Sequence, residues 1–392
     1  MATIRKRGDS YQIRVSCGYD TNGKQIIRAK TWKPEKESSE KQKEKELQRV
    51  AVLFEEQCQR GLFIDSTIKF SSFSEVWIRD YAEKQLRATT VFNYKHMLTV
   101  INGAIGHLRI DRVQPHHLLR FYDELETAKN LSGKTVLNYH RLISSVLETA
   151  VKWQIIVSNP CIRVQPPKAE RKEARFLDEK QAAQILELLE NETLKFRAMI
   201  TLLLYSGMRR GELCGLTWGD IDFNTGIVDI NKSSLYLSGQ GVFDDTTKSK
   251  TSARAIKLPH VVIATLHEWK KEQTLICLQS GSAWTGKRGN ECKVFTQDNG
   301  KPIHPCTITK TFYKFIEKYN LPKISIHSLR HTNATLMIAS GVDLRTVSKR
   351  LGHAQTSTTT NIYTHAIRRA DEIAADVIDD ILTPKKAVRR SI

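Results

Sequence analysis

Between Ser158 and Lys168 the chain carries Pro160, Pro166 and Pro167, and on both sides of this stretch apolar residues recur with helical period. Proline fixes φ, removes a backbone donor and biases the residue before it away from the helical region. No continuous helical body can run through such a segment. It therefore reads as an extended linker and as the clearest domain boundary. The 392 residues allow two to four domains at about 100–200 residues each. With 40% hydrophobic and 26% charged residues, the balance is that of an ordinary globular chain and argues against wholesale disorder.

Upstream of the linker two patterns follow one another. Tyr11, Ile13, Val15 and Cys17 alternate with Gln12, Arg14 and Ser16, the period of a half-buried strand. Asp20-Thr21-Asn22-Gly23 supplies a turn, and Lys24 to Trp32 can return as a second strand. A helix starts near Ser39, with Gln42 completing a capping box, carries an apolar face of Leu47, Val50, Ala51, Phe54 and Cys58, and stops at Gly61. Residues 66–157 then look all-helical. Phe73, Trp77 and Tyr81 make one core stripe and Val136, Tyr139, Ile143, Val146 and Ala150 another. Asn102-Gly103, Gly106, Pro115, and Asn130 with Gly133 break the region into about four helices.

Downstream, Asp178 and Gln181 cap a helix whose inner face is Ala182, Ile185, Leu186 and Leu189. A β-rich insert follows at Gly226–Asn231 and Ala255–Leu258, and Asp298-Asn299-Gly300 marks a turn before further helices. Ala370 to Leu382 forms an amphipathic pattern (Ile373, Val377, Ile378, Ile381), followed by the basic tail Lys385, Lys386, Arg389 and Arg390. The expected fold class is therefore mainly α with small β parts, a multi-domain α+β chain.

Composition narrows the function. The formal charge is +19, which points to a polyanionic partner, most often nucleic acid. Eight Lys/Arg against two Asp fall within residues 1–33. That density suits strands lying against a phosphate backbone and suits a solvated basic face equally well. No apolar run reaches the roughly 18 residues of a membrane span, and the basic N-terminus lacks the apolar stretch of a secretory signal. Seven Cys, at 17, 58, 161, 214, 277, 292 and 306, form no CxxC pair. The expectation is reduced, mostly buried thiols in a cytoplasmic protein, with no zinc site.

Four short segments of the C-terminal part carry candidate chemistry. Tyr205-Ser206-Gly207-Met208-Arg209-Arg210-Gly211-Glu212-Leu213 lies where two helical patterns meet, and Thr247-Lys248-Ser249-Lys250-Thr251-Ser252-Ala253-Arg254 reads as a polar turn between strands. In His327-Ser328-Leu329-Arg330-His331, residues 327 and 330 share a helix face, placing a proton-transfer group beside an anion clamp. His331 is expected on a different azimuth and reads as a structural histidine. Leu344, Val347 and Leu351 form a stripe that Gly352 terminates, so His353 sits just past a helix end, with Tyr363-Thr364-His365 downstream. Taken singly, each segment has a bland reading as a solvated surface or helix end.

Their order is more specific. The strings SGMRRGEL, HSLRHT, LGH and YTH make the chain resemble the tyrosine recombinase (phage integrase) family, closest in layout to the integrases of conjugative transposons and Gram-positive phages. The family's ordered pattern falls on Arg209, Lys248, His327, Arg330, His353 and Tyr363, with Lys250 the alternative lysine. Ser206 and Ser328 stand where the family usually has Thr and Asp. The resemblance implies an arm-type DNA-binding domain over 1–65 built on a three-stranded sheet, and a SAM-like, four-helix core-binding domain with linker over 66–168. It implies a mostly α catalytic domain with a small β insert over 169–392. It further implies a bacterial, nucleoid-associated enzyme that cuts and rejoins double-stranded DNA at core and arm sites, integrating and excising a prophage or conjugative transposon. That enzyme would act as a tetramer on DNA, with an excision factor or host DNA-bending protein as accessory. The helix at 370–382 would pack on its own domain or on a neighbouring protomer.

The chemistry follows from the residue types. Arg209 and Arg330 could neutralise the charge of a phosphoryl transition state, Tyr363 could form a covalent phosphotyrosyl bond that conserves the linkage energy, and His327, Lys248 and His353 could move protons or hydrogen-bond the phosphate. Glu212 could orient Arg209. No acidic cluster of the metal-nuclease kind and no Walker A motif occurs in the sequence, so neither metal nor other cofactor is expected. The alternatives are a type IB topoisomerase-like relaxing enzyme and a catalytically inactive DNA-binding regulator. Arg5, Lys6, Arg7, Arg14, Lys24, Arg28 and Lys30 are the candidate arm-site contacts. If they grip phosphates, the affinity of residues 1–65 for arm-site DNA is expected to fall steeply with salt. A flat response in a binding titration from low to high salt would assign these charges to a solvated face.

Overall fold

The computed structural model describes residues 2–19, 25–34, 40–59, 68–168, 175–246 and 253–352. By its contacts the chain divides into two compact units, Met1–Arg171 and Lys172–Ile392.

In the first unit, strands β1 (Thr3–Arg7), β2 (Ser10–Tyr19) and β3 (Gln25–Trp32) form an antiparallel sheet in that order, followed by helix α1 (Glu40–Gln59). The alternation in β2 does what the sequence pattern requires: Ile13 and Val15 are buried with Leu47, Ala51 and Phe54 of α1. β1 has no apolar pattern and is exposed along its length, so only the family resemblance anticipates it. The turn at 20–23, Ser39 and Gly61 lie outside the described residues. The register divides the basic residues, because paired positions on neighbouring strands share a face. Arg5 pairs with Gln12, and Thr3 with Arg14. These positions, with Arg7, lie on the side opposite to Ile13 and Val15. Ile13 pairs with Lys30, Val15 with Arg28 and Lys6 with Tyr11, which puts Lys6, Arg28 and Lys30 on the α1 side. Lys30 Nζ stands 6.0 Å from the Phe54 ring. The expected cluster is thus two clusters, with Lys24 outside the described residues.

The rest of this unit is a helical bundle. Helix α2 (Phe70–Trp77) runs through a single π turn (Ile78–Ala82) into α3 (Glu83–Gln85), and α4 (Ala88–Ile105), α5 (Pro115–Thr127) and α6 (Gly133–Lys152) follow. Pro115 opens α5, where its missing donor costs nothing, and Ser132 caps α6 by accepting from the Thr135 amide. Asn102-Gly103 does not break the chain but lies inside α4, where Asn102 Nδ2 donates to Ser74 Oγ at 3.1 Å. Phe73, Trp77, Val136, Ile143 and Val146 share one core. That core also takes Cys161 and Val164, which corrects the extended linker. Pro160 begins a 3₁₀ turn, Pro160–Arg163, that Asn159 caps, so the linker's first half is folded against the bundle.

The second unit is built around α8 (Leu194–Ser206), buried on nearly every side. Around it lie α7 (Glu179–Leu189), α9 (Arg210–Gly215), α10 (His260–Ser280), α11 (Pro305–Lys318), α12 (Ile326–Ala339) and α13 (Leu344–Leu351). The Asp178–Gln181 capping box forms as the sequence indicates. Strands β4 (Ile221–Asp222), β5 (Ile227–Ile230) and β8 (Arg254–Lys257) form one antiparallel sheet, and β6 (Lys232–Leu237) and β7 (Gly241–Thr246) form a separate hairpin. The pairing of β5 with β8 matches the two expected strands. The β6–β7 hairpin has no clear sequence signal because its faces mix polar and apolar residues. All seven cysteines are free, but only Cys161, Cys214 and Cys292 are buried and Cys306 is exposed.

Trp77 is fully buried, and its indole donates to Thr149 Oγ1 at 3.0 Å. Trp77→Ala is expected to destabilise the first unit by about 3–5 kcal/mol, measured as a lower denaturant midpoint for its unfolding transition.

Candidate active site

Helix α8 ends at Gly207, whose φ of 63° lies in the left-handed region. A side chain there would be strained, and its Cβ would lie 2.6 Å from Leu351 Cδ2 and 2.7 Å from Asn333 Oδ1. Two residues on, Arg209 starts α9 and Glu212 folds back on it. Glu212 Oε2 accepts the Arg209 backbone N–H at 2.9 Å, and Oε1 accepts Arg209 Nη1 at 2.8 Å. Glu212 is 3% exposed. An isolated buried carboxylate is costly, and Arg254 completes its neutralisation, donating through Nη2 to Oε2 at 2.9 Å and through Nη1 to Oε1 at 3.3 Å. Burial acts to raise the Glu212 carboxyl, but the Arg254 guanidinium and the Arg209 amide and guanidinium outweigh it and hold the carboxyl below its ordinary value.

Helix α12 presents His327 and Arg330. Ser325 and Ser328 cap it reciprocally: the Ser328 amide donates to Ser325 Oγ, and the Ser325 amide to Ser328 Oγ, both at 3.2 Å. Serine at 328, where the resemblance leads one to expect Asp, therefore acts as an acceptor for the helix start. Arg330 is 2% exposed. Its Nη1 donates to Gly207 O at 2.8 Å and its Nη2 to Leu351 O at 2.7 Å. His331 is not turned away from His327: the rings meet edge to face with centroids 4.9 Å apart, because a four-residue step advances only about 40° around a helix. Burial, then Arg330 and Arg209, lower the His327 pKa, which keeps its imidazole neutral near pH 7.

Helix α13 ends at Gly352, left-handed with φ 68°. Its last carbonyls collect three arginines. Arg254 Nε donates to Arg350 O at 2.6 Å, Arg330 to Leu351 O, and Arg209 Nη2 to Gly352 O at 3.2 Å. Of the expected residues, Arg209, Glu212, His327 and Arg330 thus converge. Lys248, Lys250, His353, Tyr363, the helix at 370–382 and the basic tail lie outside the described residues. Arg254 was not singled out from the sequence as a site residue. Its signal was present, however: Ile256 is buried on β8, so period 2 turns Arg254 to the same inner face.

The model of the phage integrase family matches residues 175–369, and that of the phage integrase N-terminal SAM-like domain matches residues 69–126. The chain belongs to the phage integrase family of tyrosine recombinases. A tyrosine recombinase XerC-like protein of Caldanaerobacter subterraneus subsp. tengcongensis is 27% identical over 96% of this chain and 98% of its own length. The ICEBs1 integrase of Bacillus subtilis is 29% identical over 64% and 67%. Among solved structures, the Tn1549 transposon integrase in complex with transposon right end DNA superposes with a TM-score of 0.67 at 22% identity, over 79% of this chain and 99% of that one. A lambda integrase dimer bound to a COC′ core site gives 0.57 at 14% identity, over 92% and 94%. The mainly helical, multi-domain fold is that of these integrases. The protein is a tyrosine-type site-specific DNA recombinase of the kind carried by conjugative elements and phages. Among the described residues, no helix is long and apolar enough to cross a membrane.

Burial, then His327 and Arg330, push His331 down from 6.5 to about 4. Between these values the unfolded chain takes up a proton that the folded site refuses. Stability is therefore present above the unfolded value and falls as pH drops through this window. Glu212, with its lowered carboxyl, adds a loss only below its own ordinary value. The denaturant midpoint of the second unit is expected to fall from pH 7 to pH 4, and His331→Gln to flatten that slope. An identical slope in the variant would contradict the assignment.

Proposed function

We propose that Arg209 and Arg330 form the phosphate clamp of the recombinase. The observation that carries this reading is that the two guanidiniums, from separate helices, end on the consecutive carbonyls of Leu351 and Gly352, immediately before His353 in sequence. Arg209 is 39% exposed, so a DNA strand can reach it, whereas Arg330 is buried and holds its place. Against a scissile phosphate the pair neutralises the charge that builds up on the non-bridging oxygens. Tyr363 Oη attacks phosphorus, the bond to the 5′-oxygen breaks, and a 3′-phosphotyrosyl bond forms. Lys248 protonates the departing 5′-oxygen, neutral His327 accepts the Tyr363 hydroxyl proton, and His353 hydrogen-bonds the phosphate. Attack by a 5′-hydroxyl of another strand reverses these steps and returns the tyrosine.

The substrate is double-stranded DNA. Integration and excision of a mobile element through a tetramer, with an excision factor or host DNA-bending protein setting direction, form the rest of the reading, as does action at the nucleoid of a bacterial cell. The sheet face carrying Arg5, Arg7 and Arg14 supports a second DNA contact distinct from the cleavage site, which a simple relaxing enzyme does not need.

A nicked suicide duplex bearing the element end tests this. Wild-type protein is expected to become covalently attached to it and Tyr363→Phe to form no adduct, while Arg209→Lys, which loses the planar fork, slows attachment by about 100-fold or more. Trapping by the Phe variant would show that another residue is the nucleophile.

A further inference from the structure

Arg254 lies where the start of α9, β8 and the end of α13 meet. Its strand, β8, follows directly on the segment that carries Lys248 and Lys250. Its guanidinium is 6% exposed and makes two contacts with Glu212, the residue that holds both the backbone and the side chain of Arg209. Its third nitrogen, Nε, donates to Arg350 O at the end of α13. Gly352 covers it closely: a Cβ there would lie 3.0 Å from Arg254 Nη1 and 3.3 Å from Cδ and Cζ. The planar fork thus ties α9, β8 and the end of α13 to one buried carboxylate.

We propose that Arg254 is a positioning residue for strand cleavage, fixing Glu212 and through it the guanidinium of Arg209 against the end of α13. The inference rests on Arg209 being a phosphate clamp. It adds that the clamp's geometry is set from the opposite side of the carboxylate. A Glu212 with only Arg209 to pair with would draw that guanidinium inward, away from the phosphate. With Arg254 present, the carboxylate's charge is shared, and Arg209 keeps donors for its ligand. A lysine could keep the charge but not the two-pronged contact with Glu212 together with the bond to Arg350 O.

The test uses the full chain and the nicked suicide duplex, reading DNA affinity and the first-order rate of adduct formation at saturating DNA separately. For Arg254→Met, affinity is expected to stay within about threefold of wild type while the attachment rate falls about 100-fold, the signature of an interaction that acts in the chemical step. Arg254→Lys is expected to recover part of the rate. Arg254→Met combined with Glu212→Gln is expected to be no slower than the worse single variant, because the residues act as one unit. If Arg209→Ala cleaves like wild type, the clamp reading fails and takes the proposal with it. If Arg209→Ala is inactive but Arg254→Met cleaves within about threefold of wild type, or loses affinity in proportion to rate, the proposal alone is overturned. Should the Met variant not fold, Arg254→Lys and Glu212→Gln carry the same measurement: wild-type rates in both overturn it.

Discussion

The carbonyls of Arg350, Leu351 and Gly352, at the end of α13, are each met by an arginine: Arg254, Arg330 and Arg209. A helix leaves its last carbonyls without intrahelical partners, and its C-terminus carries partial negative charge. Cationic donors satisfy both demands at once. Because the donors come from β8, α12 and the start of α9, meeting these demands brings together elements that sequence leaves far apart. The end of α8 is held in the same manner, with Arg330 on Gly207 O, Asn333 on Leu204 O and Tyr205 O, and Arg350 on Tyr205 O. Helix ends, rather than helix faces, define the site.

Three guanidiniums in one place repel, and Glu212 is the counter-charge that makes the assembly tolerable. A buried ion pair is weak evidence for stability, since desolvation offsets the attraction. Its value here lies in geometry. Glu212 receives the backbone of Arg209 as well as its side chain, so the same carboxylate that caps α9 also aims the residue that starts it. The division of labour between the two arginines of the proposed clamp follows from burial. Arg330 is enclosed and cross-braces two helix ends, whereas Arg209 remains accessible.

Much of this was legible in the residues. The apolar stripes of α1, α6 and α7 mark helices because a core-facing helix must bury one side, and the boundaries at Gly106, Pro115 and Gly352 follow from backbone chemistry. Local signals mislead where tertiary packing overrides them. Pro160 suggested a free linker, yet Cys161 and Val164 had a core to enter. Asn102-Gly103 suggested a break, yet the Asn102 side chain found Ser74 on a neighbouring helix. The basic residues of the first strands are dense in the sequence, yet strand alternation divides them between two faces once the register is known.

The sequence alone presents Arg209, Lys248, His327, Arg330, His353 and Tyr363 in the order that resembles the family's pattern, because residue order is a property of the chain before it folds. It also determined which helices form, since periodicity and capping act within a few residues. Only the tertiary structure decided which guanidinium meets which carbonyl and that Arg254 shares Glu212 with Arg209. Arg330 reaches Gly207 across 123 positions and Arg209 reaches Gly352 across 143. Contacts at that separation depend on how the helices pack against α8, and no local pattern encodes them.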